Sequence, residues 1–142
     1  MQINQDYNTS AYTFRSYEPG KVQIFSPLGQ DLIVSPDTAA AVAKVHTLSR
    51  SLLMLPNELI EDWGPATLDE LTAEHLQPLL AHKPELLILG TGDKIRFPKP
   101  QVTQVLLTRG IGVEVMGNGA ACRTYNYLIS DLRRVAVALL MD

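Results

Sequence analysis

The sequence predicts a single α/β (α+β) domain in which an N-terminal β-hairpin precedes a βαβαβ unit and a mixed sheet is covered by helices. Three observations lead there. Apolar runs at 86–89, 111–116 and 135–140 alternate with two stretches of helical periodicity, and the first two runs end in glycine turns, Gly90-Thr91-Gly92 and Gly117-Asn118-Gly119. The N-terminal third is rich in β-formers and punctuated by proline and glycine. No repeat, low-complexity tract or Pro/Ser linker divides the 142 residues, a length near the usual size of one domain.

Taken in order, residues 1–10 are polar and read as a loose, disordered tail. Tyr12 and Phe14, then Val22, Ile24 and Phe25, are strand formers, and Glu18-Pro19-Gly20-Lys21 between them sets proline and glycine where a type II turn needs them. Together they predict the hairpin. Leu32-Ile33-Val34 predicts a short strand closed by Ser35-Pro36. Over 38–45, behind Asp37, a helix capped by the aspartate and a β segment are both tenable. Leu52-Leu53-Met54-Leu55 before Pro56 is the kind of short apolar run that is buried on both faces of a sheet. Glu61-Asp62-Trp63-Gly64-Pro65 predicts a loop whose tryptophan lids the core. Thr67 and Glu70 match a capping box, Thr72 offers a later start for the same helix, and Pro78 ends or kinks its first segment. Leu71, Leu76, Leu79 and Leu80 supply its buried stripe.

The 86–89 strand is apolar on both faces. A helix follows from Pro100, with Val102, Val105 and Leu106 at helical spacing and Gly110 as a left-handed cap. Ile111, Val113 and Val115 then alternate with Gly112, Glu114 and Met116, so one face of that strand is the more polar, and Glu114 belongs at an edge or in a pair such as one with Arg123. Asn118 is placed to cap the last helix, which carries Cys122, Tyr125 and Ile129 on one side and ends near Asp131. A crossover connection makes the 86–89 and 111–116 strands parallel, while the direction of 135–140 stays open.

Composition narrows the function classes. A formal charge of -3 offers no broad basic surface for a phosphate backbone, which argues against nucleic-acid binding. The N-terminus has no basic and apolar leader pattern, and no window reaches the roughly 20 apolar residues of a membrane span. A lone cysteine fits a reducing compartment, so the expected location is cytoplasmic.

Parallel neighbouring strands would bring both glycine turns to one carboxyl edge, where open α/β folds hold ligands. The candidate pocket is therefore Gly90, Thr91, Gly92, Gly117, Asn118, Gly119, Cys122 and Arg123, with Lys94 or Arg96 adding positive charge and a small anion as guest. The bland alternative is that these glycines only make tight turns and the arginines are solvated or paired. Neither turn completes a dinucleotide or Walker fingerprint: Ile95 stands where a third glycine would, and no G-K-[ST] follows. Cys122, near the start of a helix, would have its thiol pKa lowered by the dipole and Arg123; alternatively it is a small buried packing residue. His46, His75 and His82 show no pairing with it and no zinc spacing, so no catalytic residue, metal or cofactor is assigned. Glu61-Asp62 and Asp69-Glu70 read as solvated loop and helix-start acids.

Leu87-Ile88-Leu89-Gly90-Thr91-Gly92, then Arg109-Gly110-Ile111-Gly112-Val113-Glu114-Val115-Met116, then Ala121-Cys122-Arg123-Thr124-Tyr125-Asn126, carry a resemblance covering roughly 50–140. The chain resembles a family of small domains of unknown function that includes the mitochondrial complex I assembly factor of the third type and an adipogenesis-associated protein. That resemblance implies a three-layer fold with a central mixed sheet, no established catalytic activity, and protein partners such as respiratory-complex subunits. The 26–47 segment looks longer than the family's corresponding turn. Two functions are thus expected as alternatives: a non-enzymatic protein-binding or assembly domain, or a small-anion or metabolite site, or weak thiol-dependent enzyme, built on the glycine turns and Cys122.

Overall fold

The computed structural model describes residues 10–27, 32–34 and 41–141. The expectations for 1–9, for Ser35-Pro36 and for the Asp37 cap lie outside the described residues.

The first two strands, β1 (Thr13–Glu18) and β2 (Lys21–Phe25), form the antiparallel hairpin the sequence predicts. Glu18 stands opposite Lys21, leaving Pro19 and Gly20 as the loop, and Gly20 takes φ +78°, a backbone that side chains disfavour. Short strands β3 (Leu32–Val34) and β4 (Ala41–Ala43) pair antiparallel, and β5 (Val45–Leu48) adds to the free side of β2. Of the 38–45 segment, for which a helix and a β segment are both tenable from sequence, the described residues carry β4 and the start of β5 and are β. Strand β6 (Leu52–Leu55) turns at Pro56-Asn57 into β7 (Glu58–Ile60), a short strand that the sequence reading left unassigned.

Two short helices follow, α1 (Ala73–Leu76) and α2 (Pro78–His82), broken where Pro78 removes a backbone donor. Thr67 makes no capping bond; Glu70 Oε2 instead accepts from the Ala66 N–H at 2.9 Å, and the working start is Thr72, whose N–H donates to His75 Nδ1 at 3.0 Å. Then come β8 (Leu86–Gly90), α3 (Pro100–Leu107), β9 (Gly112–Met116), α4 (Asn118–Ser130) and β10 (Val135–Leu139). Helix α3 closes as expected: Gly110 at φ +77° donates to Leu107 O, and the Ile111 N–H reaches back to Leu106 O, both at 3.1 Å.

Among the described residues the main sheet has the order β7-β6-β10-β8-β9, mixed in direction: β8 runs parallel to both β9 and β10, and β10 is antiparallel to β6. The last strand therefore lies at the sheet's centre, which explains why its five residues are buried on both faces. Its pleat sorts them. Val135, Val137 and Leu139 join Leu52, Met54 and Ile88 against α4 and the β1-β2 hairpin, while Ala136 and Ala138 join Leu53, Leu87 and Leu89 against α1, α2 and α3. This is the three-layer arrangement, helices on one face and α4 with a separate β1-β2-β5 sheet on the other. Burial of each valine, leucine, isoleucine or methionine side chain among them contributes about 1.5–3 kcal/mol. Trp63 packs on the α1–α3 side as a partly buried lid, its Nε1–H donating to His75 O at 2.9 Å. Glu114 is exposed on β9, the edge strand, which accounts for an acid in so apolar a run.

Candidate functional site

Gly90 and Met116 are partners at the carboxyl ends of β8 and β9, so the two glycine turns do meet. They meet around Asn118. Its backbone N–H donates to Gly92 O at 2.8 Å, its Oδ1 accepts the Gly92 N–H at 3.0 Å, and its Nδ2 donates to Leu140 O at 3.0 Å. The expected cap is thereby corrected: Asn118 is the first residue of α4, makes no cap bond, and turns its carboxamide into the sheet with 2% of its surface exposed. The physical reason is that two strand ends leave a donor and an acceptor unpaired there, and a buried amide satisfies both. A Cβ on Gly90 would collide with Asn118 Oδ1 and lie 2.7 Å from Leu139 Cδ2. Bare backbone at Gly90 makes room for the amide.

Thr91 is buried, and its hydroxyl donates to Lys94 O at 3.0 Å and accepts the Arg96 N–H at 2.9 Å. It shapes the following loop. Arg96 leaves the candidate pocket, since its guanidinium pairs with Asp69 at 3.6 Å. Cys122 is buried at 0% exposure, and burial pushes its thiol up, with Arg123 pulling only weakly the other way. The expected lowering by the helix dipole is overridden because removing a thiolate from water outweighs it.

Beside the closed crevice lies an open groove of about 540 Å³, bordered by Gly117, Gly119, Ala120 and Arg123 from the α4 start and by Tyr17 and Asp93. The Tyr17 hydroxyl donates to Asp93 Oδ1 at 2.5 Å, and burial together with that carboxylate raises its pKa. Of the eight residues singled out from sequence, Gly117, Gly119 and Arg123 line this groove, Gly90, Thr91, Asn118 and Cys122 are buried, and Gly92 is half-buried. Tyr17 and Asp93 went unnoticed in the sequence because their pairing spans 76 residues.

A second buried amide was also missed. Asn126 Oδ1 accepts the Phe14 N–H at 2.9 Å and its Nδ2 donates to Phe14 O at 2.8 Å, giving β1 the hydrogen bonds a neighbouring strand would supply. A signal existed: Asn118, Cys122, Tyr125, Asn126 and Ile129 fall on one helical stripe, and all five are buried. Tyr125 adds its hydroxyl to Tyr12 O at 2.9 Å.

The histidines are dispersed. His82 Nε2 meets Glu58 at 2.8 Å, His46 Nε2 meets the Ser26 hydroxyl at 2.6 Å, and His75 caps Thr72. Among the described residues no group of three His, Cys, Asp or Glu side chains could hold a metal ion. Nor is any helix of the described residues long and apolar enough to cross a membrane.

Among curated proteins, the chain is 34% identical over 97 residues to the NADH dehydrogenase [ubiquinone] 1 alpha subcomplex assembly factor 3 of Danio rerio, covering 67% of this chain and 55% of that one. It spans about half the length of the curated relatives it matches. Among solved structures, a Xanthomonas campestris protein is 36% identical with TM-score 0.69, covering 99% of this chain and 92% of the other. A Bordetella pertussis protein described as a Mth938-like domain is 26% identical with TM-score 0.70, covering 100% and 93%. The family described as "Protein of unknown function (DUF498/DUF598)" matches residues 14–140, which carries the likeness well beyond the 50–140 region where it was first legible. With that span shared, the chain belongs to the DUF498/DUF598 family.

Proposed function

We propose that this chain is a non-enzymatic, protein-binding domain that acts in the manner of an assembly factor, with respiratory-complex subunits as candidate partners. The observation that carries this reading is the use made of the strand-end crevice: its donors and acceptors are spent on Asn118, which joins Gly92 to Leu140. A crevice so filled argues against a substrate between the two turns. The assembly-factor relatives support the same reading, although what they assemble is known of them and is only proposed for this chain. The thiol of Cys122 is buried, and burial raises its pKa, which argues against thiol catalysis. A cytoplasmic location belongs to the same proposal, on the strength of a lone cysteine and hence a fold that uses no internal disulfide.

The test is affinity capture of the tagged chain from its own cell extract after brief cross-linking. Reproducible recovery of one defined assembly, lost when the fold is kept but the contacting surface is altered, supports the proposal; an empty capture counts against it.

A second reading rests on the groove at the α4 start, where Arg123 and the helix's first turn border an open hollow. Thermal-shift screening with phosphate and carboxylate metabolites tests it, and Arg123→Ala must abolish any stabilisation found.

A further inference from the structure

The end of the molecule opposite the glycine turns gathers cations that the overall charge of -3 conceals. Lys83 closes α2, Arg109 follows α3, and Arg133 and Arg134 precede β10, so the chain returns to this end each time with a basic residue. Two acids stand at this end and both are engaged: Glu85 Oε2 accepts Arg133 Nε–H at 3.0 Å and its Oε1 the Arg134 N–H at 3.3 Å, while Glu58 meets His82 Nε2 at 2.8 Å. Asp131, in the turn after α4, is a further acid close by in sequence. Among the described residues Lys83, Arg109 and Arg134 have no acidic partner at salt-bridge distance.

These three cations border a trough. One hollow, about 440 Å³, has Leu80 and Ile111 among its lining with Lys83, Arg109, Arg134 and the already engaged Glu85. A second, about 340 Å³, is lined by Leu55, Val135 and His82, and the two share Pro84 and Arg134. Close by in sequence, Leu107 two residues before Arg109 and Leu132 just before Arg133 are exposed, the latter 82%.

We propose that this trough binds an extended acidic segment of a partner protein, with aliphatic side chains seated in the two hollows and carboxylates on Lys83, Arg109 and Arg134. This deepens the protein-binding reading and rests on it. Charge complementarity selects the occupant: on an acidic chain, this end is where an acidic segment would be attracted rather than repelled, which also orients the encounter. Shape selects it over a bilayer, because the cations rim a concavity that a flat lipid surface cannot enter. Two open, adjoining hollows suit an extended chain better than a single small molecule, which calls for an enclosed pocket.

The test uses the full chain, nitrogen-labelled for NMR, and a short fluorescein-labelled peptide alternating leucine and glutamate, with a leucine–lysine peptide and phosphatidylglycerol vesicles as comparisons. The expected result is amide shifts confined to Lys83, Glu85, Arg109 to Ile111 and Arg134, with binding that weakens as salt is raised. Arg109→Glu with Arg134→Glu should weaken it about tenfold or more, Arg109→Gln with Arg134→Gln by less, and Arg50→Glu, at a distant exposed pair, not at all. Well-dispersed spectra confirm that the variants are folded. Absent shifts, shifts elsewhere, or unchanged affinity in the reversal variant overturn the proposal, as does vesicle binding through these cations without peptide binding. Partners captured from extract by the wild type and retained by the reversal variant also overturn it, while leaving the binding role standing. An empty wild-type capture counts against the assembly reading alone, because the peptide titration tests the trough without a cellular partner.

Discussion

Asn118 Oδ1 occupies the space into which a Cβ on Gly90 would project, so the glycine at the end of β8 is what lets α4 dock against the sheet. Gly90→Ala should cost about 3 kcal/mol, because the added methyl meets the amide and the Leu139 side chain in a packed region. Asn118→Ala should cost about 2–4 kcal/mol by stranding the Gly92 N–H and Leu140 C=O. The informative quantity is their coupling. Urea unfolding of the double variant should show a loss smaller than the two singles added together by about 1 kcal/mol or more, since removing the amide makes room for the methyl.

Asn126 stands in for a strand beside Phe14. Asn126→Leu keeps the volume and leaves both Phe14 backbone groups unpaired in the core, so a loss of about 2–5 kcal/mol is expected. Amide exchange at Phe14 should accelerate more than at Ile24, which keeps its backbone partner His46 on β5.

The last helix shows how much of the fold was legible. Its buried face, its length and the following strand could be read because Cys122, Tyr125 and Ile129 repeat at local spacing. Gly110 and the Pro19-Gly20 turn were legible for the same reason, as residues whose backbone preference acts on the spot. Asn118 was misread as a cap because a cap is the local use of asparagine, whereas its partners lie 26 and 22 residues away. Strand β7 escaped because Glu-Leu-Ile is too short to show a period, and its place was set by pairing with β6. The glycine turns were correctly brought together, yet no local pattern could say that the protein's own amide would fill the space between them.

Alkaline pH should destabilise the protein in two stages. Cys122, Tyr17 and Tyr125 all have folded pKa values raised by burial, so each is held neutral in the native state and ionises more readily when unfolded. Their contribution is full below the unfolded values and is lost as pH rises beyond them, from about pH 8.5 for the thiol and about pH 10 for the phenols. Urea midpoints measured from pH 7 upward should begin to fall near the thiol value, and Cys122→Ala should delay the onset to the phenol range. The native thiol should also resist a disulfide reagent that the unfolded chain consumes at once.

Leu132 ends α4 in the left-handed conformation, φ +59°, with the Arg133 N–H returned to Leu128 O and its own to Ile129 O. This is the position glycine normally takes, held here by a side chain that is 82% exposed. Leu132→Gly should therefore stabilise the protein by about 0.5–1 kcal/mol, read as a raised thermal midpoint, because the strain is relieved and little packing is lost.

The bond between Asn126 and Phe14 joins residues 112 apart in the chain, and it sets a clock on synthesis. Phe14 leaves the ribosome first, and at usual elongation rates about 6–20 s pass before Asn126 is made. Throughout that interval the β1-β2 hairpin carries an apolar face and an unfinished edge. A nascent chain with such a wait offers holding chaperones a defined target, and the hairpin's protection should appear in one step when the final helix emerges.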